Sequence, residues 1–429
     1  MALLRTLHIK NARVVDPASG RDTVGDVYVA DGKIVDGLRE KAERIIDAKG
    51  LVAAPGFIDL SARLREPGQE YKATLESEMA AAVAGGVTSL ACPPDTDPPL
   101  DEPGLVDMLR RRAKSLTRAR LYPIGALTLK LQGEALTEMG QLADAGCVAF
   151  SQANAPLPNT QVLWRALQYA ATFGYPVWLR AQDVWLAKGG VAHDGEVATR
   201  LGLPAIPAFA ETIALGTLLE LVRATGARVH VCRLSTAGAV EMIRQAKAQK
   251  LPVTCDVAIH HVHLCDMDLG YFDSQCRLDP PLRAQRDRDA LARGLADGAI
   301  DCMCSDHTPV DEDGKQLPFA EAEPGATGLE LLLPLALKWG AAQKLDLGAT
   351  LARITSEPAR ILGVATGRLA VGAPGDIVVF DPEATVRIAP ETLKSQGKNT
   401  PFLGYELAGR VRYTVVAGNV VYEDAARGT

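Results

Sequence analysis

Residues 55–68 read PGFIDLSARLREPG: an apolar run that closes on Asp59 and spills into a polar loop carrying Ser61, Arg63, Arg65 and Glu66. The run begins at residue 51 as LVAAPGFIDL, and seven more β-rich apolar runs follow it. They are GVTSLACPP (86–94), RLYPIGALTL (120–129), CVAFSQ (147–152), PVWLRAQD (176–183), RVHVCRLS (228–235), LPVTCDVAIHH (251–261) and IDCMCSDHTP (300–309). Between them lie amphipathic segments such as LESEMAAAVAGG, TQVLWRALQYAATFG, AFAETIALGTLLELVRATG and TAGAVEMIRQAKAQK, with apolar residues at helical spacing and glycine near several C-termini. Eight strand–helix units in series predict an α/β chain folded as a parallel (β/α)8 barrel rather than an open sheet.

The two ends have another texture. Residues 1–55 and 367–429 alternate as short strands broken by Asp-Gly, Pro-Gly and Ala-Gly turns. The expected organisation is a β-sandwich built from both termini (1–55 and 367–429) around a barrel at 56–366. The formal charge of −6 has no like-charge block, which argues against nucleic acid as a partner, and no run of about 18 apolar residues suggests a membrane span. The opening MALLRTLHIKNARVVDP alternates like a strand rather than a leader peptide, so a cytoplasmic location is expected. Eight cysteines lie mostly in strand-like runs without a CxxC pair and read as reduced, buried thiols.

In such a barrel the chemistry lies at the C-terminal ends of the strands. Those ends carry Ser61, Arg63, Arg65 and Glu66 after strand one; Asp95 after strand two; and Ser151, Gln152, Ala153 and Asn154 after strand four. Arg180, Gln182 and Asp183 follow strand five, Arg233 and Ser235 strand six, His260, His261 and His263 strand seven, and Asp306 and His307 strand eight. The HHVHLCD cluster has the composition of a metal site, but its alternation favours packed or loop histidines. His307 is expected on the far side of its strand, as a structural residue. GGVT and GATGLE lack the context of a phosphate-binding loop, and no GxSxG elbow occurs.

Along nearly its whole length the chain resembles the dihydroorotase branch of the amidohydrolase superfamily. The resemblance rests on PGFIDLSARLREPG, AGGVTSLACPPDTDPPLDEP, AGCVAFSQAN, LRAQD, VHVCRLST, VTCDVAIHHVHL, RLDPPLR, GAIDCMCSDHTPV, GATGLELLLPL, SEPARILG, GRLAVGAPGDIVVFDP and NTPFLGYELAGRV. The PPLR and REPG stretches favour dihydroorotases over hydantoinases, while allantoinases share much of the pattern. The resemblance implies one or two zinc ions held by four histidines and a bridging acid, with an aspartate after strand eight as proton shuttle. The reaction it implies cyclises N-carbamoyl-aspartate to dihydroorotate, or hydrolyses it back, zinc polarising the carbonyl and activating water.

Carried over position by position, the paired histidines after strand one fall on Ser61 and Arg63, the bridging acid on Ala153, and the histidines of strands five and six on Arg180 and Arg233. Asp306 keeps the strand-eight acid and Arg65 the substrate-carboxylate position. Two substrate-facing asparagines fall on Asp95 and Asp279, which as carboxylates should repel an anionic substrate, and the histidine closing the strand-eight motif falls on Val310.

Arginine offers a metal no lone pair and stays charged. Arg63, Arg180 and Arg233 are therefore expected to replace the charge of zinc, with Asp306 paired to at least one of them; the alternative is that they turn out to solvent at the barrel mouth. Asp306 is then a catalytic remnant or a salt-bridge partner, and the partner role is favoured. No cofactor is expected, with zinc only if the site is active after all. The resemblance implies a silent dihydroorotase-like chain that partners aspartate transcarbamoylase in a homo- or hetero-oligomer. The alternatives are an active cyclic-amide hydrolase and an anion-binding module that uses Arg65 and the replacement arginines.

Overall fold

The computed structural model describes residues 6–424. The start of the expected first strand, residues 1–5, lies outside the described residues.

The chain opens with β1 (Thr6–Asp16), β2 (Arg21–Ala30), β3 (Lys33–Val35), β4 (Arg44–Asp47) and β5 (Val52–Pro55). The barrel strands follow: β6 (Phe57–Asp59), β7 (Val87–Cys92), β8 (Arg120–Ala126), β9 (Ala149–Ser151) and β10 (Val177–Leu179). A two-residue ladder, β11 (Ala192–His193) with β12 (Ala205–Ile206), interrupts the series before β13 (Val229–Val231), β14 (Val253–Ala258) and β15 (Cys302–Cys304). The chain closes with β16 (Ile377–Arg387), β17 (Glu406–Val416) and β18 (Asn419–Glu423).

The order β6-β7-β8-β9-β10-β13-β14-β15 is parallel throughout and follows the sequence, the topology of a (β/α)8 barrel. It closes just beyond the strand ends, where Arg63 N–H donates to His307 O (2.8 Å) and His307 N–H to Ser61 O (3.1 Å). The stretch LVAAPGFIDL is not one strand. β5 pairs with β1 and β16 in the terminal sheet, and only β6 belongs to the barrel. Gly56 marks the break: a Cβ there would come within 2.2 Å of the Thr88 side chain, so the close approach of the two layers requires glycine.

Strands from both termini share one sheet, β18-β17-β16-β5-β1-β2-β3 with β4 on β1, around a core of its own that includes Leu7, Val14, Val27, Ile46, Ile377 and Val415. Both termini contribute strands to it, as the alternating ends lead one to expect, and the described terminal strands form a single hydrogen-bonded sheet. Arg120 on β8 bridges to buried Asp376 (2.9 Å) and ties the barrel to it.

The helices start and stop where local chemistry dictates. α1 (Leu75–Ala84) has Thr74 accepting from Ser77 N–H, and Glu66 accepts from Leu75 N–H at 2.8 Å. α2 (Pro103–Ser115) carries its proline in the first turn, and the helix Thr160–Phe173 runs from an Asn159 cap to left-handed Gly174. Among the described residues no helix is long and apolar enough to cross a membrane, and all eight cysteines are free thiols.

Candidate functional site

The C-terminal ends of the barrel strands bring together residues far apart in sequence. Arg63 follows β6, Asp95 follows β7, Ala153 and Asn154 follow β9, Arg180 follows β10, Arg233 follows β13 and Asp306 follows β15. Asp279 comes from the loop after β14.

Their side chains form one continuous chain of contacts. Asp95 accepts from Arg63 Nε at 2.7 Å, and Arg63 Nη1 donates to Asp306 Oδ1 at 3.3 Å. Arg233 Nη1 donates to the same oxygen at 3.1 Å, while its Nη2 reaches Asn154 Oδ1. Asn154 Nδ2 donates to Asp279 Oδ2 at 3.1 Å, Asp279 accepts from Arg180 Nη1 at 2.6 Å, and Arg180 Nη2 ends on Gln182. Three guanidiniums face three carboxylates, so the network is charge-neutral when all are ionised.

The arginines are buried rather than turned to solvent: side-chain exposure is 5 % for Arg63, 5 % for Arg180 and 4 % for Arg233. For Arg63 and Arg233 burial works against the charge, but the partners outweigh it. Arg63 and Arg233 are pushed upward, chiefly by Asp95 and by Asp306 respectively. Burial alone would raise the Asp95 and Asp279 carboxyls, yet Arg63 and Arg180 beside them bring both below the usual range. The network is not fully satisfied, since Arg63 Nη2 and Arg233 Nε are buried without a partner among the described residues.

This geometry corrects the expected role of Asp95 and Asp279. They do not present free charge to a substrate; they neutralise the arginines at the neighbouring ligand positions. Arg65 is committed as well, with Nε on Pro309 O (2.8 Å) and Nη1 on Gln69 (3.0 Å). Val310 is 2 % exposed, and its N–H donates to Asn399 Oδ1 at 3.0 Å. What space remains amid Ser61, Arg63, Ala153, Arg180 and Arg233 is a cavity of about 20 Å³. That holds about one water, against roughly 300–1,000 Å³ for ordinary ligand pockets.

The surrounding shell holds these residues tightly. Ser305 N–H donates to Asp59 Oδ1 at 2.8 Å, its hydroxyl bonds the other oxygen, and burial pushes the Asp59 carboxyl up to about 6. His307 is fully buried between Glu78 (2.6 Å) and the Gly328 N–H (3.1 Å), a structural residue as expected. Four site positions that are not glycine have left-handed backbone: Arg65 (φ 61°), Ala153 (49°), Arg233 (55°) and Asp306 (46°). Such strain collects at functional sites.

The HHVHLCD cluster is not a strand with alternating faces. β14 ends at Ala258, and Ile259–Val262 forms a 3-10 turn. His261 bonds Pro280 O (3.1 Å), His263 bonds Leu335 O (2.9 Å), and His260 packs near Phe402 with neither ring nitrogen bonded. Burial lowers His260 to about 3 and the other two to about 4.

The residues at the five ligand positions do not fit zinc. A hydroxyl, a methyl group and three guanidiniums stand where the resemblance implies four imidazoles and a carboxylate, and only Ser61 offers a lone pair for a metal. Among the described residues one other group has metal-holding spacing, His230 with Cys232 and Asp256, deeper in the barrel. Its donors are engaged: His230 Nε2 with Asp256 (2.9 Å), His230 Nδ1 with Thr254 (2.9 Å), and Asp256 Oδ1 with the Arg233 N–H (2.6 Å).

Asn154 is the member of the network whose linking role sequence reasoning missed. Its only signal was its place at the end of strand four.

Comparison with known proteins places these features. A sequence model described as "Dihydro-orotase-like" matches residues 50–239, and one described as "Amidohydrolase family" matches 192–422. The chain is 47% identical to a "Dihydroorotase-like protein" of Pseudomonas aeruginosa, covering 97% of this chain and 100% of that one. It is 41% identical to a "Dihydroorotase" of Geobacter sp. (strain M21), covering 97% and 99%. Among solved structures, an L-hydantoinase (dihydropyrimidinase) from Arthrobacter aurescens superposes with a TM-score of 0.87 at 24% identity, over 98% of this chain and 96% of that one, which shows the shared fold.

Proposed function

The chain belongs to the dihydroorotase-like amidohydrolases, and from that premise we propose that it is a non-catalytic member, retained to support assembly of aspartate transcarbamoylase. The observation that carries this reading is the six-residue ionic network filling the former metal and substrate space down to about 20 Å³. Room for a dication, its activated water and a cyclic amide is taken by side chains that pair with one another. A barrel without chemistry is kept for its surface, and the resemblance supplies the partner: the enzyme that makes carbamoyl-aspartate. On this reading the chain works in a homo- or hetero-oligomer and needs no cofactor.

Two measurements test the proposal. Purified protein should carry far less than one zinc per chain and should not interconvert dihydroorotate and N-carbamoyl-aspartate; stoichiometric zinc with turnover overturns it. Aspartate transcarbamoylase should co-purify with this chain and lose assembly or activity without it. If the transferase is complete and active alone, the scaffold role fails.

The relative named "Dihydroorotase" at 41% identity favours a second reading, an active hydrolase. It would require the arginines to leave the barrel mouth. The anion-binding alternative meets the same obstacle, because Arg65 and all three replacement arginines already have acceptors.

A further inference from the structure

A groove of about 1170 Å³ lies at the other end of the barrel, between α2, the start of β8 and the β17–β18 hairpin. Six cations line it, Arg44, Arg110, Arg111, Lys114, Arg118 and Arg120, against the carboxylates of Asp107 and Glu423. This is a local excess of positive charge on a chain whose formal charge is −6.

Three of the six are accounted for. Arg44 pairs with Glu423 (2.9 Å), Arg120 with Asp376 (2.9 Å), and Arg110 donates to Ala145 O (2.6 Å). The side chains of Arg111, Lys114 and Arg118 have no hydrogen-bond or ion-pair partner among the described residues, and all three line the groove, from the end of α2 and the turn that follows it. Complementing the end of the helix dipole accounts for Lys114, but not for Arg118 or for an open volume of this size. Apolar and aromatic residues line it as well, Leu121 and Tyr122 on β8 and Val420 and Tyr422 on β18, beside the polar Asn419.

We propose that this groove binds a nucleoside polyphosphate. Arg111, Lys114 and Arg118 take the phosphates, and the base lies against Tyr422 and Val420. Guanidinium forks and an ammonium suit phosphate oxygens, an aromatic face suits a base, and the volume, somewhat above the usual range of about 300–1,000 Å³, leaves room for a nucleotide. The inference is independent of the catalytic state of the distant barrel mouth.

Calorimetric titration of the full chain with ATP, inorganic tripolyphosphate and adenosine tests it, alongside a variant combining Arg111→Ala, Lys114→Ala and Arg118→Ala. All three residues lie at the surface or partly so, and circular dichroism checks that the variant is folded. ATP is expected to bind, weakening by about 100-fold or more in the triple variant. ATP should also bind about 5-fold or more tighter than tripolyphosphate, the contribution of stacking one base. Absence of ATP binding at about 1 mM overturns the proposal. So does equal affinity in the triple variant, or tripolyphosphate binding as tightly as ATP.

Discussion

Replacing Asp306 by asparagine tests the ionic network at its centre. Asp306 Oδ1 receives Arg63 at 3.3 Å and Arg233 at 3.1 Å, with the carboxylate side chain 10 % exposed and the arginines 5 % and 4 %. At an effective dielectric near 20, each contact is worth about 5 kcal/mol before desolvation. The asparagine leaves both guanidiniums desolvated, but their situations differ: Arg63 keeps Asp95, whereas Arg233 keeps only neutral acceptors, Asn154 and Asp279 O. Stranding one buried charge costs about 3–5 kcal/mol. In a chain of 429 residues that lowers the melting temperature by about 4 °C. Denaturant and thermal unfolding of Asp306→Asn measure it, with Asp306→Asn/Arg233→Met as the control that removes both charges and should recover most of the loss. An Asp306→Asn protein as stable as the parent, or more stable, refutes the reasoning. That is the behaviour of a catalytic acid whose charge strains its site.

Three further outcomes follow from the same geometry. Restoring histidine at 61, 63, 180 and 233 and aspartate at 153 should leave Asp95 and Asp279 as uncompensated carboxylates and destabilise the fold; adding Asp95→Asn and Asp279→Asn should recover stability and permit zinc binding, read by thermal melts and metal analysis. Ala153→Gly should raise stability by about 0.5–1 kcal/mol in urea unfolding, because alanine at φ 49° is strained where glycine is not; a loss of that size would mean the methyl group is needed. His260 has its pKa lowered by burial from 6.5 to about 3, so between those values the unfolded chain binds a proton that the native chain does not, and stability falls as pH falls through the window. His260→Leu should cut that slope near pH 5 by about 1.4 kcal/mol per pH unit, measured by urea unfolding at several pH values. An unchanged slope contradicts the burial argument.

The repeating units of the barrel were legible because β-rich runs and amphipathic helices alternate with fixed periods. The resemblance drew attention to positions 61, 63, 153, 180 and 233 because serine, arginine and alanine there are chemically unlike the ligands it implies. Other features depended on neighbours that the linear order hides. Asp95 and Asp279 were judged against a substrate, when the charges closest to them belong to Arg63 and Arg180. The signal was present, since basic and acidic departures from the family pattern occur together, but pairing them requires knowing which loops meet. LVAAPGFIDL reads as one strand because both halves are apolar, and only the contact of Gly56 with Thr88 shows the chain passing from one sheet to another. The turn at 259–262 is equally opaque, because its histidines are buried at loop positions where a strand would alternate them.

The terminal sheet also sets a schedule for folding. β5 completes its hydrogen bonding only when β16 arrives on its free side, Ala53 against Val379 and Pro55 against Ile377. At about 5–20 residues per second, a ribosome needs roughly 16–65 s to travel from one strand to the other. For that interval the first apolar strands present an unpaired edge, the template on which nascent chains aggregate. The barrel adds strands in sequence order as they emerge, but the terminal sheet beside it cannot be completed until β16, β17 and β18 are delivered. Ribosomal pausing or truncation before Ile377 should therefore leave a chain with most of its barrel made, which chaperones must hold.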